Sequence, residues 1–149
     1  MFNLGILTAH GSRLFGNTAR SKAGQAQGGA LQNQGDATLT EMDVEDNEAA
    51  SDGGPAIGGG MSNGGTLTAH GSRLVGNAAR SNAGQASGGA LANQGDATLT
   101  ETAVEGNEAA SDRGGAVGGG VANFGTLTAR GSQLVGNAAR SNAGNAQGG

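Results

Sequence analysis

Residues 7–41 read LTAHGSRLFGNTARSKAGQAQGGALQNQGDATLTE, and residues 67–101 read LTAHGSRLVGNAARSNAGQASGGALANQGDATLTE. Residues 127–149 take up the same phrase a third time as LTARGSQLVGNAARSNAGNAQGG, so the step is 60 residues. Each 60-residue unit divides again into two 30-residue halves. Asn17, Asn47, Asn77, Asn107 and Asn137 stand 30 apart, and so do Asn3, Asn33, Asn63, Asn93 and Asn123. Five units, 1–30, 31–60, 61–90, 91–120 and 121–149, then fill the 149 residues as one domain.

Other positions keep the same register. Gly28-Gly29 returns as Gly58-Gly59, Gly88-Gly89, Gly118-Gly119 and Gly148-Gly149, and Ser21, Ser51, Ser81, Ser111 and Ser141 make a serine column. Ala19 and Ala26 head two alanine columns, and glycine follows each member of the Asn3 column by two residues. A disordered Gly-rich chain has no need of such columns. The unit shows no 3.6-residue period; it alternates over short TLT or ALA segments set between Gly pairs and Asn, which is the pattern of short strands joined by tight turns. The expected fold is all-β: a β-solenoid in which each 30-residue unit is one coil, stacked at the strand spacing of about 4.8 Å to give a rod roughly 24 Å long. The hexapeptide signature of left-handed β-helices is missing, so a right-handed parallel β-helix, five coils in a 60-residue double repeat, is the specific expectation.

Two inward columns explain why the sequence repeats at 60 while the fold repeats at 30. One runs Leu7, Ala37, Leu67, Ala97, Leu127, and its neighbour runs Ala9, Leu39, Ala69, Leu99, Ala129. Large sits over small in each column, out of phase with the other, which keeps the interior volume constant from coil to coil. Leu14, Val44, Leu74, Val104 and Leu134 form a further core column, as do Met1, Leu31, Met61, Leu91 and Val121. The Asn columns are expected at turns, each amide donating to one coil and accepting from the next. The glycine columns are expected to supply positive φ or close backbone approach, not phosphate loops.

Composition excludes more than it names. With 32 Gly, three Phe, no Trp, Tyr or Cys and 35% apolar residues, the chain lacks material for a core of large interlocking side chains. A net charge of -4 gives no reason to expect nucleic acid as a partner. The absence of Cys removes disulfides, thiolate metal sites and a Cys nucleophile. The opening MFNLGILTAHGSR has no basic segment before a seven-residue apolar run, and no stretch approaches 18 apolar residues, so neither a signal peptide nor membrane insertion is expected.

Charge also follows the double repeat. Coils one, three and five carry Arg13, Arg20, Lys22, Arg73, Arg80, Arg130 and Arg140, while the acids fall on coils two and four. Stacking places Arg13, Asp43 and Arg73 in one column, an arrangement that penalises a one-coil slip more than it adds bulk stability. Chemistry-bearing motifs are missing: there is no Walker sequence, HExxH or GxSxG, and no catalytic, cofactor-binding or metal site is assigned. His10 and His70 lie two coils apart with Thr40 between them, too far for shared zinc. The acids Glu41, Asp43, Glu45, Asp46 and Glu48 read as a solvated face, because the Asp-rich nonapeptide of calcium-binding solenoids is absent. One outward column is wholly threonine, Thr8, Thr38, Thr68, Thr98 and Thr128, which raises ice binding as an alternative. Charge and bulk interrupt its flanks on alternate coils, at His10, Asp36, His70, Asp96 and Arg130.

GGAL at residues 28–31 and 88–91, the TLT segments, and an apolar residue three before Asn in LFGN and LVGN resemble the GGA[ILV] and FxxN repeats of polymorphic outer membrane proteins. They are also similar to the repeats of secreted bacterial β-helix proteins and autotransporter passengers. The resemblance implies a surface-exposed or secreted chain with a structural or adhesive role. The leading expectation is a non-enzymatic structural protein: a segment or subunit of an extracellular β-solenoid fibre, with copies of itself stacked end to end or further coils of a longer chain as its partners. The apparent lack of capping segments fits either arrangement. The alternative is an adhesin-like rod binding a cell-surface glycan or protein through loops 20–27 and 80–87, with Arg20, Lys22 and Arg80 as contacts.

Overall fold

The computed structural model describes all residues, 1–149, and contains no helix. Every regular element is a parallel strand of two to five residues, and the strands wind into a β-solenoid of about five turns. The central turn shows the plan: Met61–Asn63, Thr66–His70, Arg73–Val75, Ala78–Ser81 and Ala86–Ser87, separated by corners of two to four residues. Corresponding strands of successive turns pair to make five parallel sheets of five strands each, counted here as the first to the fifth in that order around the turn.

Pairing runs without a slip. Thr68 lies opposite Thr38 and Thr98, Asn63 opposite Asn33 and Asn93, and Leu67 opposite Ala37 and Ala97. The period-2 alternation of a strand then decides which side chains enter the interior. In Asp36–Thr40, Ala37 and Leu39 are buried while Asp36 and Thr38 face out; in Thr66–His70 the buried pair is Leu67 and Ala69. Leucine therefore sits over alanine in both inward columns of the second sheet.

The interior is not one core but two. Leu31, Met61, Leu91, Leu39, Leu67, Leu99, Leu74 and their neighbours fill the space enclosed by the first three sheets. The fourth and fifth sheets enclose a second cluster made only of alanine: Ala56, Ala79, Ala86, Ala109 and Ala116, each 0% exposed. Here the two walls approach until backbone meets backbone. A Cβ on Gly59 would run into the Ala78 carbonyl group and the Gly89 oxygen, and one on Gly89 would meet Glu108 and the Gly119 oxygen. The preceding glycines, Gly28, Gly58, Gly88, Gly118 and Gly148, hold φ between +55° and +64°, the left-handed region that glycine enters without steric cost.

The outer turns are covered by one neighbour instead of two. Leu7, Leu14 and Leu127 are only partly buried against the core, and Leu134, expected inside with Leu74, is 49% exposed. That expectation is corrected: the Leu134 side chain keeps its column, but only Val104 lies beside it. A second departure concerns backbone. Glu41, Asp46 and Glu101 take φ of +51° to +53° in columns where other turns place glycine. A side chain with a Cβ is strained there, at about 1 kcal/mol each.

Candidate functional site

Ladders of polar side chains run the length of the rod. At the corner between the first and second sheets, Asn33 Nδ2 donates to Asn63 Oδ1 at 2.7 Å, and also to the Gly35 and Thr66 carbonyls at 2.9 Å. The contact recurs from Asn3 to Asn33, from Asn63 to Asn93 and from Asn93 to Asn123. A second ladder lies between the third and fourth sheets. Asn47 Nδ2 donates to Asn77 Oδ1 at 2.9 Å and to the Leu14 carbonyl at 2.8 Å, while the Asn47 backbone N–H donates to the same Asn77 Oδ1. Asn17, Asn77 and Asn107 make the same side-chain donation to the next turn, ending at Asn137. In the middle turns these side chains are buried, at 0 to 1% exposure.

Serine supplies a ladder that the repeat shows but does not explain. Ser81 Oγ donates to the Gly54 carbonyl of the preceding turn at 2.7 Å and accepts from the Gly84 N–H at 2.8 Å, so one hydroxyl closes its own corner and ties it to the turn below. Ser51, Ser111 and Ser141 do the same. A further inward hydroxyl, Ser72, was not singled out by the sequence reading: its Oγ accepts from the Met42 N–H at 3.1 Å. The signal was the GS dipeptide at 11–12, 71–72 and 131–132. No buried side-chain nitrogen or oxygen lacks a hydrogen-bond partner. The interior polar groups are thus fully engaged, partly with their own corner and partly with the neighbouring turn.

Outside, Thr8, Thr38, Thr68, Thr98 and Thr128 stand in register on the outer face of the second sheet. The next outward column alternates His10, Thr40, His70, Thr100 and Arg130, which breaks the face into separate hydroxyl pairs. His10 Nε2 lies 3.6 Å from Glu41 and His70 Nε2 lies 3.9 Å from Glu101, both pairs well exposed. No three His, Cys, Asp or Glu side chains converge.

The arginines pair diagonally. Arg13, Asp43 and Arg73 do share a column, yet Arg13 Nε donates to Glu45 at 2.9 Å, and Arg73 lies nearer Glu45 (3.3 Å) than Asp43 (3.8 Å). On the fourth sheet, Arg80 lies opposite Ala50 and Ala110, whose methyl groups leave room for its head to reach back to Glu48 at 3.0 Å and Glu108 at 2.8 Å. Arg20 adds to Glu48 at 3.6 Å and Arg140 to Glu108. The result is a continuous ion-pair line, Arg20, Glu48, Arg80, Glu108, Arg140, with Glu45 and Glu48 drawn out of the open acidic face expected of them. Partial burial pulls the Arg80 guanidinium down, but the hydrogen bonds and charges of Glu48 and Glu108 outweigh it and hold its pKa above the ordinary arginine value. A shallow recess of about 200 Å³ lies over this line, walled by Asn77, Arg80, Asn107, Glu108 and Arg140. Of the three basic residues considered for adhesion, Arg20 and Arg80 are taken up by this line; Lys22 makes no ion pair.

Comparison with protein families, curated proteins and solved structures finds no match to this chain.

Proposed function

We propose that this chain is a non-enzymatic structural element, a right-handed β-solenoid that serves as a segment or subunit of an extracellular or cell-surface fibre extended by stacking coil on coil. One observation carries the reading. The same set of contacts, two Asn ladders, a Ser ladder and five parallel sheets, is made at every step from one turn to the next, and no buried side-chain polar group is left without a hydrogen-bond partner. A scaffold that consists of one repeated interface can lengthen without a new design, as solenoids do. Right-handed winding accords with the general hand of crossovers between parallel strands. The GGA[ILV]-like and [FL]xxN-like repeats support a surface or secreted setting.

Cryo-electron microscopy of the purified chain at micromolar concentration tests the reading. Filaments with a strand spacing near 4.8 Å along the axis, continuous across chain boundaries, are the expected result. Discrete rods at every concentration would remove self-assembly and move the adhesin reading forward.

A further inference from the structure

Of all the asparagines in the chain, only Asn63 is followed by glycine. The other members of its column lead into Leu4, Gln34, Gln94 and Phe124. The difference bears on covalent chemistry that asparagine undergoes without an enzyme. The nitrogen of the following peptide gives up its proton and attacks Cγ, ammonia leaves with Nδ2, and a succinimide ring closes. Water then opens the ring at either carbonyl to leave aspartate or isoaspartate. One amide and one water are consumed, one carboxylic acid and one ammonia are formed, and nothing is oxidised or reduced. A side chain on the following residue crowds the attack; glycine, with no Cβ, does not.

In the folded rod both reacting groups are held. Asn63 is 1% exposed, and its Nδ2 donates to Asn93 Oδ1 at 2.7 Å, to the Gly65 carbonyl at 3.0 Å and to the Asp96 carbonyl at 3.1 Å. Its Oδ1 accepts from Asn33 Nδ2 at 2.7 Å, and the Gly64 N–H, which carries the attacking nitrogen, donates to the Asn33 carbonyl at 2.7 Å. Swinging the side chain onto its own next peptide breaks these bonds and leaves buried groups unpaired. We propose that Asn63-Gly64 is a masked modification site, converted to aspartate or isoaspartate only while the third coil is open, and that a converted coil no longer closes its ladder. Aspartate still accepts from Asn33 but has no N–H to give Asn93, and its carboxylate would lie against the Asn93 oxygen and two carbonyls. Isoaspartate adds a methylene to the main chain just before Thr66–His70, a strand paired residue for residue on both sides. Ammonia diffuses away, so the change runs one way and records time spent open. A solenoid passes stability from coil to coil, so a broken rung in the central coil weakens the link between the two ends.

The test incubates the full chain at mildly alkaline pH, one sample in buffer and one in guanidinium chloride, and follows the amide-to-acid mass gain over time by tandem mass spectrometry. Trypsin releases residues 23–73 as one peptide, which carries Asn33 and Asn47 as internal references. In denaturant Asn63 should convert ahead of both. In buffer its conversion should be roughly tenfold or more slower, since each 1.4 kcal/mol of opening free energy divides the open population by ten. Gly64→Gln, the residue that the neighbouring coils carry, should abolish the lead of Asn63 in denaturant, a readout that does not depend on whether the variant folds. Asn63→Asp, made directly, should melt below the wild type. Conversion of Asn63 as fast in buffer as in denaturant would overturn the mask, and equal rates at Asn33, Asn47 and Asn63 in denaturant would overturn the role of Gly64. An Asn63→Asp chain that melts like the wild type would overturn the claim that conversion opens the ladder.

Discussion

The two halves of each turn are built on opposite principles. Between the first three sheets the walls stand apart and leucine, methionine and valine fill the space; between the fourth and fifth they nearly touch, and only alanine and glycine fit. The wide half stabilises the rod by removing apolar surface from water, about 1.5–3 kcal/mol for each leucine fully buried. The thin half has few methylenes to bury and contributes shape: it lets the chain return beneath itself. A side chain in the wide half can therefore be trimmed at a graded cost, whereas one added in the thin half has nowhere to go.

Substitutions that press on this contrast should rank accordingly. Gly59→Ala sets a methyl against backbone that cannot move aside, and should remove about 4 kcal/mol or abolish cooperative melting. Gly24→Ala is its control, since the added atom meets nothing nearer than Ser21 Oγ at 3.5 Å. Circular dichroism melts of the pair would erase the distinction between the halves if both behaved like the wild type. Leu67→Ala, in the wide half and 1% exposed, should cost about 3 kcal/mol in a denaturant titration. The double exchange Leu67→Ala with Ala69→Leu keeps volume but reverses the phase of one turn, and should cost about half as much. A loss equal to that of the single variant would mean that stagger, more than volume, governs the packing.

The polar ladders join the halves and rank next. Asn77→Ala removes the acceptor of the Asn47 N–H and the donor to the Val44 carbonyl, both buried, and should cost about 2 kcal/mol. Amide exchange should speed up first at Asn47 and at the corner before the fourth sheet; uniform acceleration would argue for global loosening instead. Glu108→Gln breaks the ion-pair line on the exposed side of the thin half. It should cost about 1 kcal/mol or less, and the difference from wild type should shrink in high salt. Because the Arg80 pKa is raised, its share of that stability is present throughout the neutral range and is lost only when strong alkali carries the pH through the folded value.

Columns were legible in the sequence because stacked turns force like residues into contact, and a 30-residue spacing in Asn or Gly translates directly into pairs such as Asn63 with Asn93. The Leu and Ala columns likewise carried their own direction, since a strand admits only two. What spacing does not encode is how a long side chain leans. Arg80 bypasses its opposite neighbours for Glu48 and Glu108, because Ala50 and Ala110 leave the space, and no column contains all three facts. Division of the interior was hidden for a related reason: Ala19 and Ala26 head columns that look alike, and only the distance between walls shows that they close a separate core. Glu41, Asp46 and Glu101 broke the rule that positive φ belongs to glycine, so their backbone could not be foreseen from residue type.

In both asparagine ladders each side-chain amide donates toward the turn that follows it in the chain. The amide-to-oxygen contacts between asparagines therefore all run one way and the rod is an arrow, with a return bond in the second ladder from each amide to a carbonyl of the preceding turn, as from Asn47 to Leu14. Two arrows meeting tip to tip bring donor to donor and gain nothing from the ladders. A chain arriving reversed would gain no bond from the ladders, so end-to-end stacking of the kind proposed would carry a preferred direction.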